Sequence, residues 1–169
     1  MDSISSQPLS ATALRALFIE QLSILYNAKI SLTAYIPGLV KQATFTNLKL
    51  ALEEDLEDSI RQMIALKTIF RLMQESWLTN SCLGMNAVID EAFKQVAFDK
   101  TKHFESDMSI LFYMAVIENL QVGAGKILNL MALKLDYEPY AQLVGECLDM
   151  AEDNSGLFHC VAEEYLQYN

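Results

Sequence analysis

Read at intervals of three and four, Phe18, Leu22, Leu25, Lys29, Leu32 and Ile36 make one stripe of a helix, and Lys29 is its only charged member. Three other segments break their apolar stripes with groups that could do chemistry. "EEDLEDSI" sets Asp55 and Asp58 beside Leu52, Leu56 and Ser59, with Glu53, Glu54 and Glu57 turned outward. "VIENLQVGAG" interrupts Leu111, Met114, Gly125, Leu128 and Ala132 with Glu118 and Gln121. "CLDMAEDNSGLF" offers Asp149 and Glu152 around Val144, Cys147, Ala151 and Phe158. Inward acids on several helices of a bundle are how carboxylate metal centres are built. A lysine among them supplies positive charge instead, and a buried ammonium must be paired. The readings are a lysine at the stripe's edge with its stem buried and its ammonium in water, a metal site of carboxylates, or a site in which Lys29 stands for the metal and bonds Asp58, Glu118 or both, with Gln121 satisfying a remaining lone pair.

Other chemistries find little footing. The two histidines, His103 and His159, follow Lys100 and Gly156 by three residues, so the Glu-x-x-His pairs of di-iron bundles are absent. Cys82, Cys147 and Cys160 are widely spaced, without a metal box, and read as thiols of a reducing compartment. No G-x-S-x-G elbow or phosphate loop occurs. A net charge of −10, with no basic run, argues against nucleic acid.

The elements that must position these residues follow from periodicity. Only six glycines and three prolines punctuate 169 residues, which suits long helices. The pattern predicts a first helix from Ser10 to Ile36, stopped by Pro37 and Gly38, and a second from an N-cap at Thr46 to Ser76. A short helix from Met85 to Phe98 follows, then long ones from Ser106 to Leu135 and from the "DYEPYAQL" segment to Leu166. Gly156 reads as a weakness or a close-packing point in the last. The fold class is all-α, a four-helix bundle with a short extra helix between the second and third long ones. Residues 1–9 read as a flexible polar tail and 10–169 as one domain. No secretory signal or uninterrupted apolar run of spanning length is read, so a cytoplasmic protein without membrane contact is expected. An apolar content of 52% is rich for a monomer and suits a homodimer.

In their order, "LFIEQLSILYNAKISLTAYIPGL", "LALEEDLEDSIRQM", "VIENLQVGAGKIL" and "LVGECLDMAEDN" resemble the helices of the YciE/YciF-like family of bacterial ferritin-like proteins. The resemblance spans about residues 15–166. It implies a ferritin-like bundle, commonly dimeric, linked to bacterial stress responses and carrying a di-metal site. On this sequence the family's first-helix Glu falls on Lys29, and its second-helix His and Glu fall on Asp55 and Asp58. The third-helix acids fall on Glu118 and Gln121. The fourth-helix pair falls on Met150 and Ala151, unless a one-residue shift brings in Asp149 or Glu152. The expectation is therefore a degenerate site, Lys29, Asp55, Asp58, Glu118 and Gln121, with no bound cofactor and no enzymatic activity. The alternative is an Fe or Mn carboxylate oxidase or storage site.

Overall fold

A computed structural model describes residues 10–79, 83–96 and 101–168, so the expected tail, Cys82 and Phe98 lie outside the described residues. Five helices form: α1 (Ala11–Gln42), α2 (Thr46–Met73), α3 (Leu83–Gln95), α4 (His103–Lys134) and α5 (Glu138–Tyr168). No strand occurs among the described residues. α1 packs against α2 and α4, and α5 packs against the same two, so the long helices close a ring of neighbours. The short α3 lies against α1 and α4. This is the helical bundle with one excursion that the sequence predicts.

The first helix does not stop at Pro37. It begins with a Ser10 hydroxyl accepting from the Ala13 N–H at 3.1 Å and runs through the proline to Gln42. An interior proline costs a helix about 3 kcal/mol. Ile36 and Leu39 flank it and are both buried. Burial of one large apolar side chain contributes about 1.5–3 kcal/mol, enough for the pair to offset the break.

Nor is Thr46 the cap of α2. Phe45 occupies that position and has no side-chain cap bond. The start of the helix is fixed instead by Asp107, buried on the first turns of α4. Its Oδ1 accepts from the Thr44 N–H at 2.9 Å, and its Oδ2 from the Phe45 N–H at 2.9 Å and the Thr44 hydroxyl at 2.6 Å. The Tyr165 hydroxyl of α5 donates to the same Oδ2 at 3.1 Å, and its ring stacks on Phe45. α2 ends at Gln74, where a left-handed backbone (φ 56°) closes the last turn, with the Glu75 N–H bonded to Phe70 O.

α5 passes through Gly156 unbroken, and a side chain there would meet open space. Close packing falls on Gly125 of α4, where a Cβ would sit 3.2 Å from Leu148 Cδ1 of α5.

The core is in two parts. Towards one end Leu32, Ile36, Leu48, Leu52, Leu111 and Phe158 belong to one apolar cluster. Towards the other Phe18, Leu22, Leu66, Phe70, Leu128 and Val144 belong to a second. Each long helix places buried polar residues in the gap between the two, while Ser23 of α1 and Ser106 and Asp107 of α4 are buried outside it. Lys29 falls between Leu25 and Leu32, Asp55 to Gln62 between Leu52 and Leu66, Glu118 and Gln121 between Ile117 and Leu128, and Asn154 between Ala151 and Phe158.

α4 differs from the others in being apolar on two sides. By length and composition alone it would pass for a membrane-spanning helix, with a mean hydropathy of 1.2 over an 18-residue window of which 39% is buried. The sequence reading, which sought an uninterrupted run, does not see this, because Glu118 stands inside the window.

Candidate functional site

The mid-bundle layer is the candidate site. Lys29, Asp55, Glu118 and Gln121 are all at most 2% exposed, and Asp58 is 9% exposed at the edge. The structure thus brings together the five residues that sequence spacing selects, one from α1, two from α2 and two from α4.

Their bonding departs from expectation. The Lys29 ammonium donates to the Ser59 hydroxyl at 3.3 Å, and among the described residues no carboxylate forms an ion pair with it. Asp58 leans outward, where its Oδ1 accepts from Arg61 at 3.0 Å. Glu118 Oε1 accepts from Gln121 Nε2 at 2.6 Å, so Gln121 satisfies a lone pair as expected, but of Glu118 alone. Asp55 Oδ1 accepts from Asn154 Nδ2 at 3.0 Å. The predicted direct Lys29 bond to Asp58 or Glu118 is replaced by a hydroxyl contact, with the carboxylates acting through space. Ser59 lies one helical turn beyond Asp55 and reaches the ammonium first.

Burial dominates the electrostatics. Desolvation holds Asp55 well above the usual carboxylate range, helped by Glu118 and Asp58, while Lys29 and the Ser59 hydroxyl oppose it. Desolvation also raises Glu118, against Lys29 and Gln121 and with a small push from Asp58. The Cys147 thiol, buried in the same layer, is pushed up to about 12 by desolvation, with Lys29 pulling the other way. A thiol so far from ionisation is no nucleophile at neutral pH.

In this layer four buried acceptors have no hydrogen-bond partner among the described residues: Asp55 Oδ2, Glu118 Oε2, Gln62 Oε1 and Gln121 Oε1. Gln62 otherwise donates to the Cys147 carbonyl at 3.0 Å. Lys29, Gln62, Gln121 and Cys147 line a cavity of about 10 Å³, room for a single water.

A di-metal centre does not fit this donor set. An ammonium cannot ligate, and among the described residues no three His, Cys, Asp or Glu side chains come together as a cation site. The fourth-helix candidates stay out. α5 turns Val144, Cys147, Ala151, Asn154 and Phe158 inward, a three-four spacing that leaves Asp149 and Glu152 exposed. Glu152 pairs with Lys126 at 2.9 Å on the surface.

Sequence reasoning missed Asn154, Gln62 and Asp107. Each was legible as register. Asn154 fills the gap in the α5 stripe between Ala151 and Phe158, Gln62 continues Asp55 and Ser59, and Asp107 precedes Leu111 by one turn on the α4 stripe. The search favoured acids, whereas Asn154 and Gln62 are amides beside the acids that drew it, and Asp107 lies before the first stripe residue considered on α4.

No curated protein matches the sequence. Solved structures share the fold, among them the following two. The E. coli stress protein YciF superposes with a TM-score of 0.85 at 20% identity, over 92% of this chain and 98% of its own. YcfI from Rhodopseudomonas palustris, provisionally described as a structural protein, gives 0.79 at 20% identity, over 91% and 96%. At that identity the likeness speaks for the fold alone. A family profile matches residues 13–168, and the chain belongs to that family, the domain of unknown function DUF892.

Proposed function

We propose that this chain is a non-enzymatic member of its family, a structural or partner-binding bundle whose metal-site positions are degenerate. In it the Lys29 ammonium supplies the positive charge that metal ions would otherwise bring to the inward carboxylates. One observation carries the reading: a lysine 2% exposed lies in the same layer as buried Asp55 and Glu118 and opposes the rise in the pKa of both. An unpaired ammonium there would cost several kcal/mol, and two unpaired carboxylates as much again. Placed together, each lowers the cost of the other. A stress-linked role is part of the proposal; it draws on the description of YciF as a stress protein.

The alternative is an Fe or Mn site of Asp55, Asp58, Glu118 and one of Asp149 or Glu152. It has against it that the last two face solvent and that Lys29 would have to leave. The deciding measurement is metal content of chelator-free protein by mass spectrometry, before and after anaerobic loading with Fe(II) or Mn(II). The proposal expects no dialysis-resistant metal after loading. Near-stoichiometric retained metal would overturn it and restore the carboxylate site.

A further inference from the structure

α4 carries two seams. The inner one is buried. The outer one, Val116, Leu120, Gly123, Ile127 and Leu130, is exposed and repeats at intervals of three and four, the spacing by which one helix addresses another. Its four large side chains are 38–63% exposed, so no described helix covers them. Between Glu105 and Lys126 the only charged residues of α4 are Asp107 and Glu118, and both are buried. At Val116 the seam opens into a groove of about 640 Å³ between α3 and α4, lined also by Ala87, Val88, Ala92 and Tyr113. Apolar surface contiguous over this length marks an interaction site.

The neighbouring surface is charged with one sign. α5 packs against α4 more extensively than any other helix does, and from Glu138 to Tyr168 it holds acids but no lysine or arginine. Glu138, Asp149, Glu152 and Glu163 are exposed along it. Glu152 bonds Lys126 of α4 at 2.9 Å, which brings this acidic ridge to the edge of the seam beside Ile127.

From this pairing of surfaces we infer that the face of α4 is the docking site for an amphipathic helix of a different protein, one with large apolar side chains at three-four spacing and lysines or arginines along one flank. The inference rests on the partner-binding side of the function proposed above and names the chemistry of the partner. It is independent of the state of the buried site.

Charge selects this occupant. The apolar stripe of the incoming helix fills seam and groove, and its cationic flank meets the ridge on α5. A lysine or arginine stem lies along apolar surface before its charge reaches a carboxylate, so the flank can bridge from seam to ridge. A second copy would bring a further −10 to the same ridge, and anionic lipid would bring phosphates. Both are repelled where a basic helix is attracted. Gly123 lies at mid-seam, where a Cβ would meet nothing within 4 Å of its own chain. Glycine weakens a helix interior relative to alanine, and the close approach of another helix gives it a use there.

The test is fluorescence anisotropy of the full chain with a synthetic helical peptide of leucine and lysine, its leucines at three-four spacing, beside the same peptide with glutamate for lysine. Ile127→Lys and Leu120→Lys alter the seam. Asp149→Lys, Glu152→Lys and Glu163→Lys together alter the ridge, and Glu53→Lys, Glu54→Lys and Glu57→Lys on α2 change the net charge equally elsewhere. At about 0.1 M salt, charges more than ~10 Å away are largely screened. The lysine peptide should bind in the micromolar range and the glutamate peptide at least ~10-fold more weakly. Each seam variant and the ridge variant should weaken the lysine peptide at least ~10-fold, whereas the α2 variant leaves it within ~3-fold, with circular dichroism showing every variant folded. Absence of lysine-peptide binding overturns the inference, and so does binding that the seam variants leave intact. Equal loss on the ridge and on α2 overturns it as well, because any acidic surface would then serve. Self-association, or binding to phosphatidylcholine vesicles, that Ile127→Lys abolishes would give the seam to another occupant and overturn it too. Retained metal would overturn the degenerate-site reading while leaving these binding results unchanged, so the two failures are distinguishable.

Discussion

Lys29 is held in the interior by one hydroxyl contact and by the field of carboxylates it does not touch. A carboxyl whose pKa is higher in the folded than the unfolded chain binds its proton preferentially when folded. Its contribution to stability is then complete below the ordinary pKa and is lost as pH rises through the raised value. For Asp55 and Glu118 the window opens at their ordinary values of 3.8 and 4.5 and extends upward. Urea unfolding should therefore show the share of stability these two groups contribute being lost as pH rises above those values. Asp55→Asn, whose amide oxygen can still accept from Asn154, should flatten that slope and leave the alkaline stability equal or greater. Lys29→Met removes the opposing charge and should cost more once the acids ionise than in acid, though less than the ~3–5 kcal/mol of breaking a direct buried ion pair, because Lys29 touches only the Ser59 hydroxyl. A loss under ~1 kcal/mol at both would mean the ammonium does not offset these acids.

At the scale of elements, apolar periodicity was legible wherever a helix met its neighbours, and its ends were not. Every residue of the α1 stripe from Phe18 to Ile36 is buried, though Ile19, Ser23, Tyr26, Asn27 and Ala28 are buried beside it, and the helix continues past Pro37 because Ile36 and Leu39 are held by the core. Tertiary burial outweighed a local rule. The start of α2 was misplaced for a related reason: its cap is a carboxylate from α4, and no local pattern around Thr46 can announce an acceptor some sixty residues away. The five site residues were legible because they interrupt stripes, whereas their bonds depend on which side chain reaches first. Asp107 is where this matters for stability. Asp107→Ala leaves the Thr44 and Phe45 N–H groups and the Tyr165 hydroxyl without their acceptor. It should lower unfolding stability by about 3 kcal/mol, since hydrogen bonds to a charged group contribute ~1.5–3 kcal/mol. A loss below ~1 kcal/mol would show that the corner is held by the stacked rings of Phe45 and Tyr165 instead.

For the whole molecule, charge and apolar surface are segregated. Apart from the buried Lys29, Asp55, Asp107 and Glu118, most charged side chains among the described residues lie on the outside of the bundle while α4 presents an apolar face, so self-association of this acidic chain should respond to salt in the direction opposite to an ionic interface. Raising ionic strength from about 0.01 M to about 0.1 M shortens the screening length from ~30 to ~10 Å and relieves the mutual repulsion of two acidic chains. Whatever self-association sedimentation detects should tighten several-fold over that range; weakening would mean ion pairs join the copies. The division of the interior has its own consequence. Two apolar clusters separated by a polar layer are two units of cooperativity joined by a seam that already tolerates charge and water. Either end of the bundle can then open while the other holds its amide protons against exchange, with the fracture plane passing through Lys29.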